Sequence, residues 1–422
     1  MLFLKTKSLF LIAFVLLLLA PGRLFAQEDF SSIRLKTDFN IWKIDLNRLG
    51  WIKDDQKMMW NGLPVELPRY LPDELSESTA GYLNNETVQR INPNEVTAYL
   101  EKYVAPEIHR EKQDVTIALN EDGKVVFDGF AFSGQEIDYK KTAHLINEAY
   151  LQKQEDVRLP IETIPPNVTV ESQELIDKGI IELIATGETD YSGSPYNRRN
   201  NIRVGLNRYD GWLIEPEEQA SVIKKLGAVN EYTGYLPELV IKGDQTIPEY
   251  GGGLCQVSTT LYRSILFSGL PVNERKNHSY AVTYYDPQGL DATIYIPNPD
   301  LKFTNDTGHD ILFQTTMIDN KAYSNIYGTK PDRHVDLIGP WYYSYRSAPT
   351  AKVKYTDQLA PGQKQVISGS HAGFEASWYR RISYAEEGVN DVIEHIYSNY
   401  DARGLVTLMG SSAPPPISDN GT

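Results

Sequence analysis

Across 422 residues the chain has one cysteine, Cys255. No internal disulfide can form, so the cores alone must stabilise the fold, and no thiolate cluster for zinc is possible. Histidine is scarce and dispersed. The seven positions (109, 144, 278, 309, 334, 371 and 395) show no HExxH-like spacing, so neither a metal nor another cofactor is expected. A surplus of cations is also missing: 41 Lys and Arg face 56 Asp and Glu, for a net charge of −15. That balance argues against nucleic acid as a partner, because binding a polyphosphate needs excess positive charge. No long apolar run follows the first 26 residues, and no internal repeat occurs.

The composition that remains, with 41% hydrophobic, 11% aromatic and 23% charged residues, is that of a globular chain rather than a disordered one. Its length suits two to four domains of about 100–200 residues. At the N-terminus Lys5 and Lys7 precede an apolar run from Leu9 to Ala20, then Pro21-Gly22 and Leu24-Phe25-Ala26. This reads as a secretory signal over 1–26. The run is short for a bilayer core that takes about 20 residues, and an uncleaved anchor, the only route to membrane association, is the alternative. In both cases residues 27–422 are expected to be extracytoplasmic.

The order of elements predicts a multidomain α+β protein. Residues 28–91 read as a mixed region of unknown role, with Trp42, Trp51 and Trp60 among polar residues and Pro64, Pro68 and Pro72 interrupting any period. A small α+β module is expected at 92–175. Val96, Tyr99, Leu100 and Tyr103 suit a short helix ending before Pro106, and Val115–Leu119 and Val125–Phe127 flank the hairpin signal Glu121-Asp-Gly123. Ala143, Leu145, Ile146 and Tyr150 supply a helix face before one edge strand, Val157 to Ile164, interrupted by Pro160. A mixed α/β domain follows at 176–330, where Ile202 to Leu206 fits either a helix start or a short strand. An all-β module is expected at 331–410, with Phe374, Ala376, Trp378, Ile382 and Tyr384 on one strand face and Arg380 its only polar member. The Pro- and Ser-rich residues 411–422 read as a disordered tail.

The densest chemistry lies at Tyr250-Gly-Gly-Gly-Leu-Cys-Gln-Val-Ser-Thr-Thr-Leu-Tyr262. Leu254, Val257, Leu261 and Ile265 define an amphipathic helix that stops at Gly269 and Pro271. Cys255 therefore belongs in a first helical turn, where unpaired N–H groups and the helix dipole favour a thiolate. The three glycines would let a substrate backbone approach the sulfur, and the N–H groups would serve an oxyanion. The alternative is a small buried cysteine in a tight turn.

A thiol nucleophile needs a base, and His278 follows Cys255 by 23 residues at the start of the strand-like run Tyr280–Tyr285. The spacing permits contact without forcing it. Asp286-Pro-Gln-Gly289 looks like a turn joining that run to Ala292–Ile296. In such a hairpin Asp291 would lie about 20 Å from His278 at the usual strand rise, which argues against Asp291 as the carboxylate that orients the imidazole.

At these residues the chain resembles the VanW family of exported bacterial proteins. The likeness runs through Tyr250–Tyr262, Glu274-Arg275, His278-Ser279, Gly289-Leu-Asp-Ala-Thr-Ile294, Asp300-Leu-Lys-Phe-Thr-Asn305 and the upstream Asn201-Ile-Arg203. The preceding module resembles the peptidoglycan-binding module that often accompanies VanW, and the last region resembles the glycine-marked β module called G-five. The resemblance implies peptidoglycan as partner and a place at the bacterial cell wall. Members of the family are linked to glycopeptide resistance, and some to cysteine-dependent L,D-transpeptidation. On that reading Cys255 attacks a stem-peptide carbonyl and His278 moves the proton. Gln256 and the amides near Gly253 are the oxyanion candidates, while Arg203, Lys302 and Asp291 are candidates to read the charged stem. One stretch departs from the family pattern: Glu215-Pro-Glu-Glu-Gln-Ala-Ser221 replaces a Pro-Gly-Glu-x-Phe-Ser-Phe-like segment. Two other functions stay open, an NlpC-like cysteine endopeptidase of stem peptides and a non-catalytic peptidoglycan-binding scaffold.

Overall fold

The computed structural model describes residues 30–37, 40–60, 63–64, 83–242, 245–385 and 389–411. The expected signal at 1–26 and nearly all of the expected tail at 411–422 lie outside the described residues. Among the described residues no helix is long and apolar enough to cross a membrane. The architecture is mixed, with several small sheets and few helices.

Two compact units emerge. Among the described residues, the first comprises 30–35, those within Trp42–Ala98, and Lys140–Arg158. In it Ile52–Trp60 pairs antiparallel with Leu83–Ile91, and Asn147 of the helix Tyr139–Gln152 accepts the Ile91 N–H at 3.0 Å. Thr142, Ala143, Ile146 and Ala149 form the buried face of that helix. The second unit holds the described residues of Lys36–Ile41, Tyr99–Tyr139 and those from Leu159 to Ser411. The module expected at 92–175 is thus shared between the two units.

Two local expectations change at prolines. The helix from Pro93 does not stop before Pro106. It passes through a π-helical turn at Leu100–Val104 into a last turn, Ala105–Ile108, of which Pro106 is the second residue. The single strand expected at Val157–Ile164 is two, Asp156–Arg158 and Ile161–Ile164, divided at Leu159-Pro160 and assigned to different sheets. The hairpin Val115–Leu119 with Val125–Asp128 forms as expected, with Gly123 in the left-handed conformation its turn requires.

The second unit is organised around the helix Leu254–Ser268, buried on nearly all sides. It lies on an antiparallel sheet in the order Glu182–Asp190, Lys321–Gly328, Ile311–Ile318, Trp212–Ile214. Ile202–Leu206 proves helical, within Tyr196–Leu206. The central helix meets the sheet at Gly187, where an added Cβ would stand 2.3 Å from the Ser264 nitrogen and 2.4 Å from the Thr260 carbonyl oxygen. Both are backbone atoms of a packed helix and cannot swing away. Gly187→Ala should therefore destabilise the unit by about 3 kcal/mol, the upper range for overpacking, with urea unfolding as the measure. An unchanged midpoint would mean that the helix is free to shift.

From Arg333 the described chain is all strand. Arg333–Arg346, Gly373–Tyr384 and Val392–Tyr400 form one antiparallel sheet, and Lys352–Thr356, Val406–Gly410 and Lys364–Ser368 form another. Ala376, Trp378 and Ile382 are buried on one strand face with Arg380. The Arg380 guanidinium donates to the Leu266 and Leu270 carbonyls at the end of the central helix, at 3.3 and 3.0 Å. A cation there satisfies carbonyls that a helix end leaves unpaired.

Candidate active site

The approach to Cys255 is built by steric necessity. The hairpin Pro237–Lys242 with Gln245–Tyr250 delivers the chain to the glycine run. Gly251 and Gly253 adopt φ of 88° and 116°, a region L-residues avoid. A Cβ on Gly252 would stand 2.8 Å from Glu238 Cβ and from the Leu239 carbonyl oxygen. The glycines thus serve the close packing of this turn, and Gly251 and Gly253 also line the groove beside Cys255. Asn201, fully buried, fixes the turn by donating to the Gly252 carbonyl at 3.0 Å and the Leu236 carbonyl at 2.9 Å while accepting the Leu236 N–H at 2.8 Å. Gly253 is the N-cap, so Cys255 is the second residue of the helix and remains partly exposed.

The segment after the helix is not the expected hairpin. From Arg275 to Leu301 the chain forms no strand, only a 3₁₀ turn at Thr283–Tyr285. Side chains hold it where a ladder was expected. Arg275 donates to the Asp291 carbonyl at 2.6 Å and to the Gly289 carbonyl at 2.9 Å. Arg263, from the central helix, donates to the Tyr285 and Glu188 carbonyls at 2.8 and 2.9 Å.

This fold-back reverses the expectation for Asp291. Its Oδ2 accepts the backbone N–H of His278 at 2.8 Å and meets His278 Nδ1 at 2.5 Å. Its Oδ1 accepts from Arg275 at 3.3 Å and from the Tyr400 hydroxyl at 2.5 Å. The strand geometry that would separate the two residues by about 20 Å does not exist here. With Nδ1 engaged by Asp291, the other ring nitrogen of His278 is the one left to act on Cys255, whose sulfur shares the groove with the imidazole and is hydrogen-bonded to Thr293 and the Ile294 carbonyl. Tyr285 stacks on the His278 ring at 4.8 Å, and Thr293 Oγ1 lies 3.2 Å from the sulfur.

Charge follows from this geometry. Burial pushes the Cys255 thiol up, but hydrogen bonding and charge from His278, with help from Thr293, bring it down to about 7. Burial alone would lower His278; hydrogen bonds to Asp291 and Cys255 outweigh it and raise the imidazole to about 10. Burial likewise disfavours ionised Asp291, yet His278 and then Arg275 hold its carboxyl well below the usual carboxylate range. Between these limits the pair is thiolate and imidazolium. Alkylation of Cys255 by iodoacetamide should accordingly follow a midpoint near pH 7 in the folded protein and about 8.5 in urea, the ordinary thiol value. A folded midpoint at or above the unfolded one would contradict the ion pair.

The other expected site residues fall less evenly. Gly253 lines the same groove as Cys255 and His278. Gln256 is buried, and its amide is spent: Nε2 donates to the Asp190 carbonyl and Oε1 accepts from Arg198, each at 2.9 Å. It holds Arg198 rather than an oxyanion. Leu254 and Gln256 spend their backbone amides on the Gly251 and Gly253 carbonyls, both at 3.0 Å. The Cys255 amide, without such a bond among the described residues, is the remaining first-turn donor. Arg203 points to Asn200 and Lys302 pairs with Glu274 at 2.7 Å; neither lines the groove. The residues not anticipated are Arg198, whose guanidinium stacks on Tyr284 at 4.4 Å within the groove, and Tyr400. The groove has a volume of about 1640 Å³ and exposes Tyr250 and Tyr295 near the sulfur. That volume exceeds a usual small-ligand pocket of about 300–1,000 Å³ and suits an extended occupant. Among the described residues no cluster of ligands suited to a metal ion occurs.

The mixed fold places Cys255 and His278 on one groove and bonds the imidazole to Asp291. Comparison with known proteins gives a family for this region: residues 197–327 match the family described as VanW like protein. It is 25% identical over 274 residues to the uncharacterized protein YoaR of Bacillus subtilis (strain 168), covering 61% of this chain and 87% of that one. It is 27% identical over 139 residues to the vancomycin B-type resistance protein VanW of Enterococcus faecalis (strain ATCC 700802 / V583), covering 32% of this chain and 50% of the relative. Among solved structures, the G5 domain of IgA1 protease aligns at 15% identity over 20% of this chain and all of its own length, with a TM-score of 0.13. HP0197-G5 aligns at 12% identity over 18% of this chain and 99% of its own, with a TM-score of 0.10.

Proposed function

We propose that the protein is an exported, cell-wall-associated cysteine L,D-transpeptidase that acts on peptidoglycan stem peptides. The observation that carries the reading is the arrangement itself: a partly exposed Cys255 in the first turn of a helix, lining the same groove as His278, whose imidazole is fixed by the buried Asp291. Kinship with a vancomycin B-type resistance protein supports the cell-wall setting. A nucleophile, a base and an orienting carboxylate in hydrogen-bond reach are the parts that acyl transfer needs.

In this reading the Cys255 thiolate attacks the carbonyl that precedes the terminal D-amino acid of a stem. The developing oxyanion lies at the helix start, near the Cys255 amide. His278 gives its proton to the departing amine, so one C–N bond breaks and one C–S bond forms. An amine on a neighbouring stem then attacks the thioester, His278 takes the proton, and the thiolate is regenerated. Arg198 and Lys276, which both line the groove, are the cations proposed to meet a stem carboxylate.

The test is incubation of residues 27–422 with disaccharide-tetrapeptide, beside Cys255→Ala, with products followed by mass spectrometry. The expected result is a cysteine-dependent dimer lacking one terminal D-alanine. Trimmed monomer without dimer would replace the transpeptidase by an endopeptidase-type hydrolase using the same acyl-enzyme. Equal binding to wall fragments by both proteins, without turnover, would leave a scaffold.

A further inference from the structure

The C-terminal β-sheet contributes a side chain to this array. Tyr400, the last residue of the strand Val392–Tyr400, is fully buried, 122 residues beyond His278 in sequence and outside the matched domain 197–327. Its hydroxyl accepts the Gly289 N–H at 2.8 Å and donates to Asp291 Oδ1 at 2.5 Å. Neighbouring residues of the same sheet grip the same loop. Trp378 donates to the Gln288 carbonyl at 2.9 Å, Ser398 donates to the Gly289 carbonyl at 3.0 Å, and the Tyr342 hydroxyl accepts the Gln288 N–H at 3.1 Å. Only Tyr400 among these four touches the carboxylate.

We propose that Tyr400 is a positioning residue of the reactive site, so that the VanW domain becomes fully competent only with the C-terminal β-sheet attached. A carboxylate has two oxygens, and a histidine can be oriented by one of them only if the other is held. Here Tyr400 and Arg275 occupy Oδ1, which turns Oδ2 toward His278 Nδ1. The hydroxyl also ties the carboxylate to the Gly289 backbone, two residues before Asp291, so that carboxylate and loop move as one body. The remaining ionisable groups around the array are Arg263 and Arg198 as cations and Tyr262 and Tyr285 as phenols that burial keeps neutral. None of the four supplies a second donor to Oδ1 among the described hydrogen bonds. This inference rests on reading Cys255 as the nucleophile, but its test does not require turnover.

The experiment measures iodoacetamide alkylation of Cys255 against pH in the full exported chain, in the wild type, Tyr400→Phe and Tyr342→Phe. Tyr400→Phe keeps the ring that packs on Phe374 at 5.1 Å and removes only the hydroxyl. Tyr342→Phe removes a hydroxyl from the same loop without touching Asp291, and so reports on loosening of the loop alone. The expected result is an upward shift of the alkylation midpoint in Tyr400→Phe by about one pH unit, the scale of one hydrogen bond to a charged group, with no shift in Tyr342→Phe. Misdirection of Asp291 weakens its hold on the imidazolium, and the thiolate loses its partner. An unmoved midpoint in Tyr400→Phe overturns the proposal, as does an equal shift in both variants, which would assign the effect to loop packing. If the alkylation result holds while the muropeptide assay shows no turnover in any variant, the positioning role stands and the transpeptidase reading falls.

Discussion

His278→Ala should lower acyl transfer by about 10³-fold or more while leaving the protein folded. Two losses combine. Without the imidazolium, burial pushes the Cys255 thiol up against only minor help from Thr293. At neutral pH the thiolate fraction then falls from about one half to below a few per cent. The departing amine also loses its proton donor, and general acid–base catalysis alone is worth about 10²–10⁴-fold. The measurement is the rate of D-alanine release with tetrapeptide donor, read beside the alkylation midpoint. Retention of even a tenth of the wild-type rate would remove His278 from the proton path. A lost rate with an unmoved midpoint would restrict it to the leaving-group step.

The second large effect is on stability. Asp291→Ala should destabilise the second unit by about 3–5 kcal/mol, the cost of breaking a buried ion pair by removing one partner. The side chain is 1% exposed and receives the His278 N–H, the His278 ring, Arg275 and Tyr400. Its removal leaves a largely buried guanidinium, a ring N–H, an amide and a phenol without their acceptor. Urea unfolding of the wild type and the variant is the measurement, and a loss under about 1 kcal/mol would mean that water replaces the carboxylate. The pH dependence has a definite sign. A carboxyl held below its unfolded value stabilises the fold above about pH 4, and that contribution is lost as pH falls further. His278 acts in the opposite sense: with its folded value raised to about 10, its contribution is complete below about 6.5 and is lost as pH rises through 10. The wild type should therefore lose stability at both extremes, and Asp291→Ala should lose less of it toward acid.

Much of the candidate site is legible in the order of residues. The apolar period Leu254, Val257, Leu261, Ile265 locates the helix, Gly253 stands at its N-cap, and Cys255 lies in its first turn. Strand patterns in the C-terminal region are also readable, because alternation along Phe374–Tyr384 reports a sheet with one buried face. The wide separation expected for Asp291 and His278 rests on a period-two argument applied to Tyr280–Ile296, a stretch where no ladder exists. The prolines give no warning, because Pro287 sits in the expected turn, where proline is favoured, and Pro297 and Pro299 lie beyond the stretch. The role expected of Gln256 fails for another reason. Polarity near a nucleophile says nothing about whether a side-chain amide is already committed, and here Asp190 and Arg198 take it.

Residue order alone determined what depends on local chemistry: an anionic globular chain, a lone thiol at a helix start, a histidine downstream, and strands at the C-terminal end. These follow from charge, period and turn residues within short windows. Only the tertiary structure decided which carboxylate serves the histidine, which cations face the groove, and that a tyrosine far along the chain bonds the same carboxylate. The reason is physical. Helices and strands announce themselves through neighbours, whereas Asp291, Arg275 and Tyr400 are joined by side-chain hydrogen bonds across an irregular loop and a separate sheet, and such bonds leave no periodic trace in the sequence.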